Sequence, residues 1–275
     1  MNDANYPRHW PGTANLDHLS YSKIALYRQC PLRFQFRYIH RLPEEMIPSS
    51  LLFGSAFHAS LEEYFQHFMI HGQSPGLDQL QQVFWDRWHR EPASRIAFNR
   101  DESVVTVACM VEVMLRAFLA SDLAAPTGTI IGIEEEITGS IVPGCPDLLA
   151  RLDLVIDAGD AMQLIDFKTA RRPWNSETVS QSAAQLHLYG QVGRSLADGK
   201  PLRLQFAVLT KAKRSPKVSL HTVANDVCAV SETLRMVART WDAIRSGEFP
   251  ANPSPIYCPR CPYRQRCPAW NHRSF

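Results

Sequence analysis

The stretch RLDLVIDAGDAMQLIDFKTA, residues 151–170, decides how the rest of the chain is read. Leu152, Leu154, Val155 and Ile156 form an apolar run interrupted by Asp153, and Asp157, Ala158, Gly159 and Asp160 supply turn-forming residues. A second apolar run, 162–169, carries Asp166, Phe167 and Lys168. The pattern predicts two strands joined by a tight turn. Strand side chains alternate between faces, so Asp166 and Lys168 share one face while Ile165 and Phe167 take the other. Across the turn, Asp153 and Asp166 can lie side by side. Two carboxylates so placed suit a hard divalent cation such as Mg²⁺ or Mn²⁺. Lys168 beside them can orient or help deprotonate a water and offset charge developing on a phosphate. A D-x-K triplet alone is more often an exposed salt bridge than a site, so the reading depends on its company elsewhere.

The chain has 275 residues, 45% of them hydrophobic, enough for one large domain or a domain with an added lobe. Its net charge is only +2, so contact with a polyanion must rest on local basic patches. No apolar run approaches the roughly 18 residues that span a membrane, and the opening MNDANYPRHW has no apolar signal region. A soluble, cytoplasmic protein without membrane association is expected. Of seven cysteines, Cys109 reads as core, and Cys145 and Cys228 stand alone. Cys258, Cys261 and Cys267 form C-x2-C-x5-C, each followed by proline. In a reducing compartment this spacing favours metal over disulfide. Cys30, also followed by proline, is the candidate fourth ligand. Four thiolates suit Zn²⁺ or an iron–sulfur cluster alike.

Residues 1–18 read as a flexible arm, and 19–30 as a helix opened by serine. At 31–38, Arg33, Phe34, Phe36, Arg37 and Tyr38 interleave charge with aromatic rings. That pattern suits nucleic acid, and it equally suits a packed amphipathic helix. Residues 51–71 form a helical pattern with Gly54 and His58 one turn apart and Glu62 a turn further on. The small residue would let another element approach His58 closely. Two more helices, 77–91 and 102–122, complete a helical first half. A strand at 129–141 carries Glu134, Glu135 and Glu136, one of which can face the site. A helix at 176–196 sets Gln185 and Tyr189 on one side, where they can bind phosphate or orient a water without adding charge. Strands at 202–210 and 217–223 are joined by a loop with Lys211, Lys213 and Arg214, which can track a phosphate backbone or form a solvated tip. A helix at 225–246 leads to the cysteine tail. The division expected is an arm at 1–18, a helical lobe at 19–128, a catalytic core at 129–250 and a cysteine segment at 251–275.

In these motifs, across about residues 19–267, the chain resembles the PD-(D/E)xK nuclease superfamily, and within it the RecB-like iron–sulfur exonucleases of the CRISPR-associated and AddB nuclease-domain type. GSAFH at 54–58 resembles a G-x-x-x-H segment whose histidine binds metal. Asp153 resembles the first catalytic acid, DFK at 166–168 the (D/E)-x-K motif, and QLHLY at 185–189 the Q-x-x-x-Y helix. Cys30, Cys258, Cys261 and Cys267 resemble the group's cluster ligands. One departure is Ala150, where relatives often carry glycine. The resemblance implies a restriction-endonuclease-like α/β fold with a mixed central sheet flanked by helices, an N-terminal helical lobe and a C-terminal cysteine cluster. It implies a metal-dependent DNA nuclease, an exonuclease on single-stranded DNA or DNA ends, serving recombination, repair, or CRISPR or phage DNA processing, with protein partners in such complexes. His58, Asp153, Asp166 and the Phe167 carbonyl would hold Mg²⁺ or Mn²⁺, the imidazole favouring Mn²⁺. Lys168 would activate the water, with Gln185 and Tyr189 beside it. The cysteines would hold a structural [4Fe–4S] cluster, with Zn²⁺ as the alternative, tying the N-terminal segment to the tail. Arg33, Arg37, Lys211, Lys213 and Arg214 are the candidate DNA contacts. Two other readings stay open: a non-catalytic DNA-binding or assembly module, and a structure-specific endonuclease.

Overall fold

Regular alternation of buried positions along 148–170 becomes two adjacent strands in the computed structural model, which describes residues 16–212 and 214–271. The main elements run α1 (Tyr21–Gln29), α2 (Ser49–His71), α3 (Leu77–Trp88), α4 (Val104–Leu119), β1 (Thr129–Gly139), β2 (Leu148–Asp157), β3 (Met162–Ala170), α5 (Ser176–Val192), β4 (Leu202–Thr210), β5 (Val218–Val223) and α6 (Val227–Arg245). The five strands form one mixed sheet in the order β1-β2-β3-β4-β5. β2 and β3 are antiparallel, β3 and β4 parallel, and β4 and β5 antiparallel. The mixed α/β fold with helices against a central sheet is the one expected. Polar side chains set the helix starts: Ser20 accepts from Lys23 N at α1, Ser103 and Thr106 cap α4 reciprocally, and Asn175 accepts from Thr178 N at α5.

The chain divides into two compact units. The larger comprises Glu45–Thr138 and Leu149–Ser231; the smaller gathers the described residues up to Glu44, then Gly139–Leu148, then the described residues from Glu232 onward.

In the larger unit one sheet face presents Leu154, Ile156, Ile165, Phe167, Ala207 and Leu209 to a core shared with α2, α3 and α4. Phe65 of α2 stacks on Phe167 with centroids 5.7 Å apart, and Phe118 of α4 meets Tyr64 edge-on at 4.9 Å. The opposite face carries α5 so closely that a Cβ on Gly190 would come within 3.2 Å of Leu204 Cδ1 and Cδ2. Glycine is what allows that approach.

The smaller unit joins the two ends of the chain through aromatic contacts. Tyr27 meets Phe34 edge-on, Phe34 stacks on Phe249, and Phe36 packs on Tyr263. Tyr27 Oη donates to the Glu248 carbonyl at 2.5 Å, and Tyr263 Oη to the Leu42 carbonyl at 3.1 Å. The aromatic residues of 31–38 thus build a packed surface, with Phe34 and Phe36 buried. Cys109 corrects one expectation: it is exposed, because the stripe Val107, Val111, Met114, Leu115 and Phe118 turns the other side of α4 inward. The expected arm at 1–18 falls mostly outside the described residues. No described helix is long and apolar enough to cross a membrane.

Phe118→Ala should cost about 3–5 kcal/mol, read as a lower urea midpoint with unchanged slope. A loss below ~1 kcal/mol would mean that this packing is not what holds α2 and α4 together.

Candidate active site

Leu154 pairs with Ile165 in the β2–β3 ladder, and the same register sets Asp153 opposite Asp166. There the pairing gives way to a side chain: Phe167 N donates to Asp153 Oδ2 at 2.7 Å. Asp166 is only 3% exposed. Its Oδ1 accepts from Gln185 Nε2 at 2.7 Å, and its Oδ2 lies 2.6 Å from Lys168 Nζ. Gln185 Nε2 also donates to Tyr189 Oη at 2.9 Å, so the two α5 residues one turn apart act on the same spot. Burial pushes the Asp166 carboxyl above its ordinary pKa, Lys168 pulls it down, and Asp153 adds to the rise. Burial also holds Tyr189 well above the usual phenol range, reinforced by Asp166, so it stays a neutral hydroxyl.

α2 brings His58 to Asp153, Nδ1 to Oδ2 3.4 Å, and β1 brings Glu134, whose Oε1 lies 4.0 Å from the same nitrogen. One ligand atom from each of His58, Glu134 and Asp153 lies within 4.8 Å of the others. Burial lowers the His58 pKa, but the hydrogen bond and charge of Asp153, with the charge of Asp166, leave it raised. Burial and the Asp153 charge push Glu134 up to about 7, against the pull of His58. Glu134 occupies the left-handed region at φ 49°, a conformation that costs a non-glycine residue energy. One nitrogen and two carboxylates facing one another across so small a gap fit a divalent cation, which would relieve their mutual repulsion.

The geometry thus gathers His58, Asp153 and Glu134 into one donor group. Asp166 stands beside it with its oxygens turned to Gln185 and Lys168, and Phe167 offers Asp153 its N–H. Glu134 was one of three consecutive acids that the sequence could not rank; Arg151 pairs both with its Oε2, at 3.7 Å, and with Glu136. Gly54 is not required sterically, because an added Cβ would meet Thr169 Oγ1 at an ordinary 3.8 Å. Ala150 is fully buried in β2, so its methyl group is accommodated.

In the smaller unit, Cys30, Cys258, Cys261 and Cys267 line one cavity together with Arg33 and Trp270. Backbone N–H groups aim at three of the sulfurs: Ser254 donates to Cys258 Sγ at 3.2 Å, Tyr263 to Cys261, and Ala269 and Trp270 to Cys267. Such donors favour thiolates. Burial raises the Cys261 and Cys267 thiols, and neighbouring cysteines raise them further. A cation would offset that repulsion, so the donor set fits a thiolate-bound metal. A single Zn²⁺ with bonds of about 2.3 Å would hold its sulfurs roughly 3.8 Å apart. Four thiolates suit Zn²⁺ or an iron–sulfur cluster alike.

Of the candidate DNA contacts, Arg33 faces this cavity, and its buried Nε has no hydrogen-bond partner among the described residues. Arg37 pairs with Glu44 at 3.0 Å. Lys211 lies over the Phe53 ring, and Arg214 is exposed. Lys213 lies outside the described residues.

A family model for the PD-(D/E)XK nuclease superfamily matches residues 18–268. A crystal structure described as a "Putative exonuclease" from Eubacterium rectale is similar in fold, with a TM-score of 0.58 at 14% identity, covering 94% of this chain and 89% of that one. A structure described as SSO0001 matches over 90% of this chain and 93% of its own at 14% identity, with a TM-score of 0.36. No curated protein matches the chain.

In EDTA, thermal stability should fall as pH rises from about 4.5 to 7, because the Glu134 carboxyl is still protonated in the native state where the unfolded chain has already ionised it. Glu134→Gln should flatten that slope. It should also weaken Mn²⁺ binding by calorimetry about tenfold or more, the size typical for losing a group that supports a metal site. An unchanged slope together with unchanged Mn²⁺ affinity would remove Glu134 from the site.

Proposed function

The chain belongs to the PD-(D/E)XK nuclease superfamily, and on that premise we propose that it is a divalent-metal-dependent deoxyribonuclease, an exonuclease acting on single-stranded DNA or DNA ends. The observation that carries this reading is the Asp166–Lys168 pair at 2.6 Å, its carboxylate buried and its ammonium partly exposed, beside Asp153 and His58. Burying the Asp166 carboxylate is a poor way to gain stability, but it places an ammonium and two carboxylates where a phosphodiester can be attacked. The exonuclease direction follows the description of the Eubacterium rectale neighbour.

His58, Glu134 and Asp153 would hold Mg²⁺ or Mn²⁺, with Asp166 adjoining, and the bound ion supplies Lewis-acid stabilisation of charge developing on phosphate. The chain's own groups do the rest. Lys168 Nζ, fixed by Asp166, orients the attacking water and meets the charge forming on the phosphate oxygens. Gln185 fixes Asp166 and so fixes Lys168 in turn. Tyr189, kept neutral, donates a hydrogen bond without repelling the substrate. In the smaller unit we assign the four cysteines a [4Fe–4S] cluster that joins the N-terminal segment to the tail.

The test is anaerobic cleavage of end-labelled linear and circular single-stranded DNA with Mn²⁺, Mg²⁺ or EDTA. Metal-dependent loss of the linear substrate alone is the expected result; cutting of circles would make the protein an endonuclease. Lys168→Ala should abolish cleavage with the fold intact by circular dichroism, and retained activity would exclude Lys168 from the chemistry. Cys261→Ala should lose iron, visible absorbance and thermal stability together. A colourless variant of equal stability would refute the structural role.

A further inference from the structure

We propose that Lys211 and Arg171 form a subsite for a phosphate of the DNA strand neighbouring the scissile one. The proposal rests on the nuclease reading above and extends it along the substrate. Lys211 leaves the end of β4, and its N–H donates to the Ala170 carbonyl at the end of β3, 2.7 Å away. The parallel register pairs Lys168 with Val208. Lys211 therefore lies three residues beyond the level of Lys168, on the order of 10 Å along the strand at about 3.3 Å per residue. Its odd-numbered position shares a face with Ala207 and Leu209, the face covered by the helix that carries His58 and opposite the one on which Lys168 meets Phe206.

The ammonium is held in an unusual way. Lys211 Nζ sits 4.1 Å from the Phe53 ring centroid and makes no ion pair among the described residues. Glu102 supplies an opposing charge, but that carboxylate is committed elsewhere. Its Oε2 accepts from Ser49 Oγ at 2.5 Å, Asn99 Nδ2 at 2.7 Å and Asn99 N at 3.2 Å. Arg171, the residue after Ala170, is exposed and adds a second positive charge. Burial pulls the Lys211 pKa down to about 8, Glu102 opposing and Arg171 adding to the fall. A cation that has lost water and gained a ring, beside a carboxylate already hydrogen-bonded to Ser49 and Asn99, has room for an anion of its own. A backbone phosphate threading past His58 along the end of β3 is an anion of the right charge on that path. The aromatic ring fixes the ammonium beforehand, so less side-chain entropy is lost on contact.

The test uses the full chain and two variants, Lys211→Met, which keeps the packing on Phe53 but not the charge, and Lys211→Arg, which keeps the charge. Binding of a fluorescein-labelled single-stranded oligonucleotide is measured in EDTA over a salt series. Lys211→Met should weaken binding about tenfold and reduce the salt slope by about 0.7, the value for one lost phosphate contact on a single strand. Lys211→Arg should retain most of the affinity. With Mn²⁺, the kcat/KM of Lys211→Met should fall at least tenfold more on the oligonucleotide than on thymidine 5′-p-nitrophenyl phosphate, which has one phosphate. An unchanged affinity and slope in a folded Lys211→Met protein would overturn the subsite, as would equal losses on the two substrates. If the wild type cleaves neither substrate yet binds DNA through Lys211, the nuclease reading fails and the subsite stands.

Discussion

One hydrogen bond sets the geometry of the larger unit: Phe167 N to Asp153 Oδ2, 2.7 Å. A buried backbone donor must find an acceptor, and here the acceptor is a carboxylate where strand pairing would otherwise continue. The β2–β3 ladder therefore stops at Leu154 and Ile165. Beyond it the two strands are joined through a side chain, which leaves room for other polar groups at the end of an otherwise apolar sheet. The same bond fixes the Asp153 carboxylate, so His58 and Glu134 meet an anion whose position is set by backbone.

Around that point the protein accepts local costs. Asp166 stands between Ile165 and Phe167, nearly without solvent. Removing a charge from water costs several kcal/mol even after relaxation, and the Lys168 partner recovers only part of it. Glu134 adds backbone strain, on the order of 1–3 kcal/mol for a non-glycine residue held at positive φ. An apolar side chain at 166 and an extended residue at 134 would make a more stable sheet. The apolar core shared by three helices and the sheet face can bear these costs because it lies in the same unit. Stability is supplied by Phe65, Phe118 and their neighbours, and reactivity is placed at the point where packing is least favourable.

Much of this was legible in the sequence because it obeys simple periods. Alternation placed Asp166 and Lys168 on one face, and the helical repeat placed Gln185 with Tyr189 and His58 on a helix. What stayed hidden depends on irregular backbone or distant contacts. Glu134 and Glu136 fall on one side, as alternation gives, and both meet Arg151; that Glu134 also reaches His58 depends on a helix far off in sequence. Lys211 read as part of a basic loop that tracks a phosphate backbone or forms a solvated tip; nothing local announced that Phe53, far off in sequence, gives it an aromatic seat. Arg33 and the rings near it suited nucleic acid, whereas Phe34 and Phe36 are buried by the C-terminal segment. No local pattern announces that residues near 30 and near 260 share a unit; only the proline-flanked cysteines hinted at it.

The two donor sets also differ in chemistry and in what a metal would do for each. One imidazole and two carboxylates are hard to borderline ligands and suit Mg²⁺ or Mn²⁺, whereas four sulfurs, three of them met by backbone N–H groups, suit iron–sulfur or zinc. Their energetic roles differ as well. The larger unit has its own apolar core. The smaller unit is drawn from three separate stretches of chain and held by a handful of aromatic contacts. When a site is assembled only by folding, the free energy of metal binding becomes free energy of folding. In our reading the cysteine-bound group is therefore a component of the fold, while the ion at His58, Glu134 and Asp153 is a component of the reaction.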